Sequence, residues 1–156
     1  MVDALAQLTF AIQGVLGRIA AAHDLSIIQA RLLGILRDRR PTINGLAEFL
    51  QLDKSSVTGL VDRAQDRGLV KRTASTLDRR SVQVSITASG RELIDRVTVA
   101  FEAEIEVLVA DLSPAQRTRL SAMASTMAIA DARSRGVDIA AARPASANRV
   151  PRAGHH

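Results

Sequence analysis

Cysteine, tryptophan and tyrosine are absent, and phenylalanine occurs only three times in 156 residues. Without cysteine there is no disulfide, no thiol redox sensing and no cysteine–zinc site. Aromatics are 2% of the chain and hydrophobic residues 47%, so any core must be aliphatic. Alanine is abundant and long stretches lack glycine and proline, which favours helix. No apolar run is expected to reach the length that crosses a bilayer. No charged start followed by an apolar stretch reads as a secretory leader. The expected setting is cytoplasmic, with no membrane partner, and the length suits one domain or one domain with an oligomerisation extension.

Chemistry-bearing residues are equally sparse. His155-His156 reads as the remnant of a purification tag, which leaves His23 as the one internal histidine. There is no glycine-rich phosphate loop. Glu102, Glu104 and Glu106 are spaced by two, which spreads them around a helix instead of converging them on a metal. The expectation is no enzyme, no cofactor and no metal site.

What is present is localised positive charge. The net +5 divides unevenly: residues 31–80 hold eleven Lys/Arg against six Asp/Glu, whereas 1–30 and 81–136 are each −1 and the tail 137–156 is +2. A basic segment between near-neutral flanks is an electrostatic footprint for a polyanion.

Periodicity supplies the elements. Leu5, Leu8, Ile12, Val15, Leu16 and Ile19 form one helical stripe. Ser26 caps a second helix carrying Ile28, Leu32, Ile35 and Leu36, which ends before Pro41. Thr42 caps a short third helix, Gln51-Leu52 makes a tight turn, and Asp53 caps a fourth whose buried face is Val57, Leu60, Val61 and Ala64. Gly68 supplies a left-handed stop. Val82, Val84 and Ile86 then alternate with polar residues as a half-buried strand, with 69–73 as its antiparallel partner. Helical period returns from Ala88 to about Leu112. Ser113-Pro114-Ala115-Gln116 starts a last helix that runs to Gly136. Beyond it lies a basic tail expected to be disordered.

Two short helices joined by a tight turn place the second in a DNA major groove, and a basic loop beside them reaches the next groove. The fourth helix presents Ser55, Ser56, Thr58, Gly59, Asp62 and Arg63 opposite its apolar face. Small residues admit close backbone approach, and hydroxyls meet base edges or phosphates. Asp62 repels phosphate, so it is read as orienting Arg63 or meeting a cytosine amino group. The loop between the strands carries Asp78, Arg79 and Arg80.

These residues resemble the MarR family of bacterial transcriptional regulators. The resemblance rests on Leu25-Ser26-x-x-Gln29, Leu46-Ala47, Ser55-Ser56-Val57-Thr58-x-Leu60-Val61-x-Arg63 and Gly68-Leu69-Val70. It continues through Asp78-Arg79-Arg80-Ser81-Val82-x-Val84-x-Ile86-Thr87-x-x-Gly90. The close match spans roughly 25 to 95. It implies a mainly α fold with a small β-wing: a winged helix-turn-helix with six helices and a two- to three-stranded wing. It also implies a homodimer joined through the N- and C-terminal helices, binding palindromic double-stranded operator DNA, usually as a repressor. Arg80 would then enter the minor groove, Asp78 would orient it and Arg79 would meet phosphate. The expected layout is 1–24 and 88–136 as dimerisation helices, 25–87 as the DNA-binding module and 137–156 as the tail. The expected DNA contacts are Thr42, Ser55, Ser56, Thr58, Gly59, Arg63, Asp78, Arg79 and Arg80. Family members often answer to small anionic or aromatic effectors; Arg18, His23 and Arg31, near the junction of the first two helices, are the candidate contacts. Rival readings are a winged helix used for protein interaction and a nonspecific DNA binder.

Overall fold

The computed structural model describes residues 1–74 and 82–137. In order, the elements are α1 (Val2–Ala22), α2 (Ile27–Asp38), α3 (Ile43–Leu50), α4 (Lys54–Asp66), β1 (Val70–Ala74), β2 (Val82–Ile86), α5 (Ala88–Leu108) and α6 (Pro114–Ser134).

Side-chain caps set most helix starts. Ser26 and Gln29 form a reciprocal capping box, with the Ser26 hydroxyl accepting from the Gln29 N–H at 3.2 Å and the Gln29 amide oxygen accepting from the Ser26 N–H at 2.8 Å. Ser113 and Gln116 repeat this at α6, with Pro114 at the first helical position. Thr42, Asp53 and Thr87 cap α3, α4 and α5. Each cap satisfies a backbone N–H that has no partner within the helix. Between α3 and α4 the chain reverses at Gln51, which is left-handed at φ 58°. Gly68, at φ 68°, ends the α4 segment and turns the chain into β1.

The core is aliphatic and central. Leu32, Leu33 and Leu36 of α2 meet Leu46 and Leu50 of α3, Val57, Leu60 and Val61 of α4, Val84 of β2, and Ile94 and Val97 of α5. β1 and β2 pair antiparallel, with Val70 opposite Ile86, Arg72 opposite Val84 and Ala74 opposite Val82. A third line of pairing is a single bridge between Thr42 and Gln83, beside a 2.9 Å bond from the Val84 N–H to the Pro41 carbonyl. Thr87 welds the sheet to α5: its hydroxyl donates to the Gly68 carbonyl at 2.7 Å and accepts from the Gly90 N–H at 3.1 Å. Its own N–H donates to the Leu69 carbonyl at 3.0 Å.

Three expectations need correction. The strand alternation fails: Ser85 is buried and Val82 is 46% exposed. Val82 sits at the open end of the pairing, and Ser85 is covered where the sheet closes on the body. The fifth helix ends at Leu108, and a turn fills the distance to Ser113. On α1 only Val15, Ile19 and Ala20, near its C-terminal end, are buried. Finally, α1 is long and apolar enough, at 21 residues and a hydropathy of 1.3, to span a bilayer by length and composition. Its packed C-terminal end belongs to the core, and its outer half leaves Leu5 and Phe10 exposed.

Candidate nucleic-acid interface

The α4 helix buries Val57, Leu60, Val61 and Ala64 and turns its other face outward. Asp53 organises its start. One carboxylate oxygen accepts from the Ser55 hydroxyl and, at 2.8 Å, from the Ser56 N–H, and the other accepts from the Ser56 hydroxyl at 2.6 Å. The Ser55 and Ser56 hydroxyl bonds, with the Ser56 N–H, hold the Asp53 carboxyl well below the usual carboxylate range. One turn on, the Thr58 hydroxyl donates to the Lys54 carbonyl at 2.8 Å.

This narrows what the polar face can do. Ser55 and Ser56 are exposed and Thr58 is half-buried, yet all three hydroxyl protons are spent within the helix. Their free lone pairs can accept, which suits the amino groups of adenine and cytosine and not phosphate oxygens. The charged donors that this face offers a phosphate are Lys54 and Arg63, both exposed. Gly59 has a local explanation as well: a Cβ there would lie 3.3 Å from a guanidinium nitrogen of Arg63, so the missing side chain leaves room for Arg63 to lie against the helix.

Asp62 does not orient Arg63. It pairs with Arg72 of β1 at 2.7 Å, and Arg72 also donates to the Gln65 side chain at 3.0 Å. The base of the wing is thereby clamped to the outer face of α4. Arg72 was missed from sequence; the available signal was its place in β1 in step with the buried Val70, on the side that faces α4. Thr42 is half-buried, with its hydroxyl engaged as the α3 cap from the Gly45 N–H at 3.2 Å. Just before it, the Arg39 guanidinium lies 4.6 Å from the centre of the Phe49 ring and braces the α2–α3 connection. Asp78, Arg79 and Arg80 lie outside the described residues.

The candidate ligand contacts lie on α1, at its C-terminal cap and on α2. Arg18 forms an exposed pair with Glu104 of α5 at 3.4 Å. His23 is half-buried at the C-terminal cap of α1, and Arg31 is exposed on α2. Among the described residues no hydrogen bond or ion pair joins any two of the three. Glu106 is likewise committed, to Arg117 at 2.7 Å, and no group of acidic or histidine side chains among the described residues could hold a metal.

A capped helix pair, a left-handed turn between its members and a strand pair clamped to the second helix define a winged helix-turn-helix. Residues 23–81 match the sequence model described as MarR family. Over that segment the chain is similar to the MarR family. Over 71 residues it is 35% identical to the uncharacterized HTH-type transcriptional regulator YfiV of Bacillus subtilis, an alignment covering 45% of this chain and 44% of that protein. The chain thus spans less than half the length of this curated relative. Its fold is similar to the crystal structure of MarR, with a TM-score of 0.74 at 23% identity over 87% of this chain and 93% of that one. It is also similar to NadR, solved in complex with 4-hydroxyphenylacetate, with a TM-score of 0.69 at 21% identity over 81% and 90% of the two chains. MarR-family homologues are transcriptional regulators and not enzymes.

Proposed function

We propose that this chain is a member of the MarR family and a sequence-specific DNA-binding transcriptional regulator that grips a palindromic operator as a homodimer. The observation that carries the reading is α4: its apolar face is buried, and a capped face of hydroxyls, Gly59 and Arg63 is left open to solvent. The helix has 13 residues and is therefore about 20 Å long, enough to lie along a major groove. In this reading Thr42, Ser55, Ser56, Thr58, Gly59 and Arg63 face the DNA, and the wing residues Asp78, Arg79 and Arg80 reach the minor groove.

Homodimerisation is the economical use of the terminal helices. Phe10 is 71% exposed on α1, Met123 and Met127 are 59% and 56% exposed on α6, and α6 buries only Ala132. A second copy would cover this surface and set two recognition helices at a fixed spacing. The proposed layout is therefore 1–24 and 88–136 for dimerisation and 25–87 for DNA. A dimer sitting on a promoter excludes polymerase, so repression is the expected output. The cytoplasm, where bacterial DNA lies, is the expected compartment. A small anionic or aromatic effector completes the proposal, with Arg18, His23 and Arg31 as its candidate contacts.

The test is a fluorescence-anisotropy titration against duplex from upstream of the protein's own gene, beside random duplex, at several salt concentrations. A salt-dependent preference on the order of a thousandfold for the upstream duplex is expected, falling when Arg63 or Arg80 is replaced by alanine. Equal, steeply salt-dependent binding to both duplexes would overturn sequence specificity. No binding at low salt would overturn DNA recognition in favour of a protein-interaction module.

A further inference from the structure

Behind the wing lies a cleft of about 470 Å³, where the end of α2, the two strands and the start of α5 meet. Its cations are Arg37, Arg39, Arg40, Lys71 and Arg91, drawn from three separate parts of the chain. Among the described residues Asp38 is the one carboxylate in the lining, and it is taken by Arg37 at 3.3 Å. Neither Arg40 nor Lys71 forms an ion pair with a described residue. Like charges converging on one cleft repel, and the concave shape focuses their field, so an anion seated there relieves the repulsion.

The cleft is separate from the proposed DNA surface. Successive strand residues point to opposite faces. Arg72 points to α4, where it meets Asp62, so its neighbours Lys71 and Thr73 point away, as does Ser85, which pairs directly with Lys71. No residue of α1 or α4 lines the cleft, so it is also distinct from the Arg18, His23 and Arg31 region. Arg91 is already aimed by a 2.9 Å bond to the Arg37 carbonyl, and Arg37 donates to Thr98 at 3.4 Å. These bonds limit the entropy lost when the guanidinium groups bind.

We propose that this cleft is a binding site for a compact multivalent anion, a phosphorylated or polycarboxylate small molecule. The volume suits a small metabolite. The walls reject an aromatic effector, because among the described lining residues only Leu36 and Ile86 are apolar, beside mostly charged and hydroxyl-bearing side chains. Guanidinium forks match phosphate and carboxylate oxygens two at a time. The bound anion would bridge Lys71 of the wing to Arg91 of α5. Any effect on operator affinity rests on the DNA-binding reading; the binding itself does not.

Isothermal titration of the full chain with inorganic pyrophosphate, without DNA and at fixed ionic strength, tests this. Saturable binding near one site per chain is expected, weakened at least about tenfold by Lys71→Gln or Arg40→Gln, both at exposed positions. Arg63→Gln, a cation on the other side of the wing, should leave it unchanged. Absence of saturable binding would overturn the proposal, as would equal losses in all three variants or none in Lys71→Gln and Arg40→Gln. So would a loss of DNA affinity in Lys71→Gln as large as in Arg63→Gln with no pyrophosphate bound, which would assign these cations to the DNA backbone.

Discussion

Replacing Gly90 and Gly34 by alanine should move stability in opposite directions. A Cβ on Gly90 would lie 2.1 Å from the Leu69 carbonyl oxygen and 2.9 Å from Cγ1 of Ile86. The first neighbour is backbone, and it accepts the Thr87 N–H at 3.0 Å, so it cannot swing aside without loosening the weld between the sheet and α5. Overpacking costs about 1–3 kcal/mol, and weakening that hydrogen bond adds about 1 kcal/mol. The gain in helix propensity from glycine to alanine returns about 1 kcal/mol. The net is a loss of about 1–3 kcal/mol, or roughly 2–12 °C in Tm for a chain of this size. Gly34, inside α2, has nothing within 4 Å of its added Cβ and keeps only the propensity term, a gain of up to about 1 kcal/mol. Urea unfolding followed by circular dichroism, at one fixed protein concentration because a dimer's stability depends on it, measures both. Gly90→Ala within about 0.5 kcal/mol of the parent would refute the close approach. A loss at Gly34 comparable to that at Gly90 would show that the site-specific argument has no content.

Three further outcomes can be checked. Asp53 has a depressed folded-state pKa, so its contribution to stability is complete above the ordinary carboxylate range and is lost as pH falls below it; Asp53→Asn should flatten the acid limb of a Tm-against-pH profile, and an unaltered limb would contradict the cap. The Asp62–Arg72 pair is partly exposed, so a double-mutant cycle with Asp62→Ala and Arg72→Ala should give only about 0.2–1 kcal/mol of stability coupling. The same cycle read by DNA affinity should show each single variant losing about as much as the double, because either one frees the wing; additive losses would count against the clamp. Phe10→Asp, at an exposed position of α1, should yield folded monomers by light scattering, and a persistent dimer would place the interface elsewhere.

Most of the local architecture was readable before any coordinates. Ser26, Thr42, Asp53 and Ser113 cap the helices they were expected to cap, and Gly68 turns where a left-handed residue was required. These are short-range events: an orphan N–H is satisfied by an oxygen within three residues, so residue order alone locates them. The buried faces of α2 and α4 follow from their period for the same reason. The outer half of α1 shows the limit, since an apolar stripe announces a helix without saying what covers it.

What lay beyond reach depends on where separate elements meet. Asp62 was read as orienting Arg63 or meeting a cytosine amino group, but β1 brings Arg72 against the outer face of α4 to pair with it. The hydroxyls of Ser55, Ser56 and Thr58 were read as meeting base edges or phosphates, and the folded helix first spends their protons on itself. Gly90 belonged to a recognisable motif, but only the packed sheet shows the Leu69 carbonyl occupying the space of its absent side chain. The cationic cleft draws on the end of α2, both strands and the start of α5, segments spread along the chain that come together only after folding. Periodicity and capping act along the chain and are written in residue order. Charge pairing, close approach and cavity shape act through space, and the crossing of helix, strand and helix decides them.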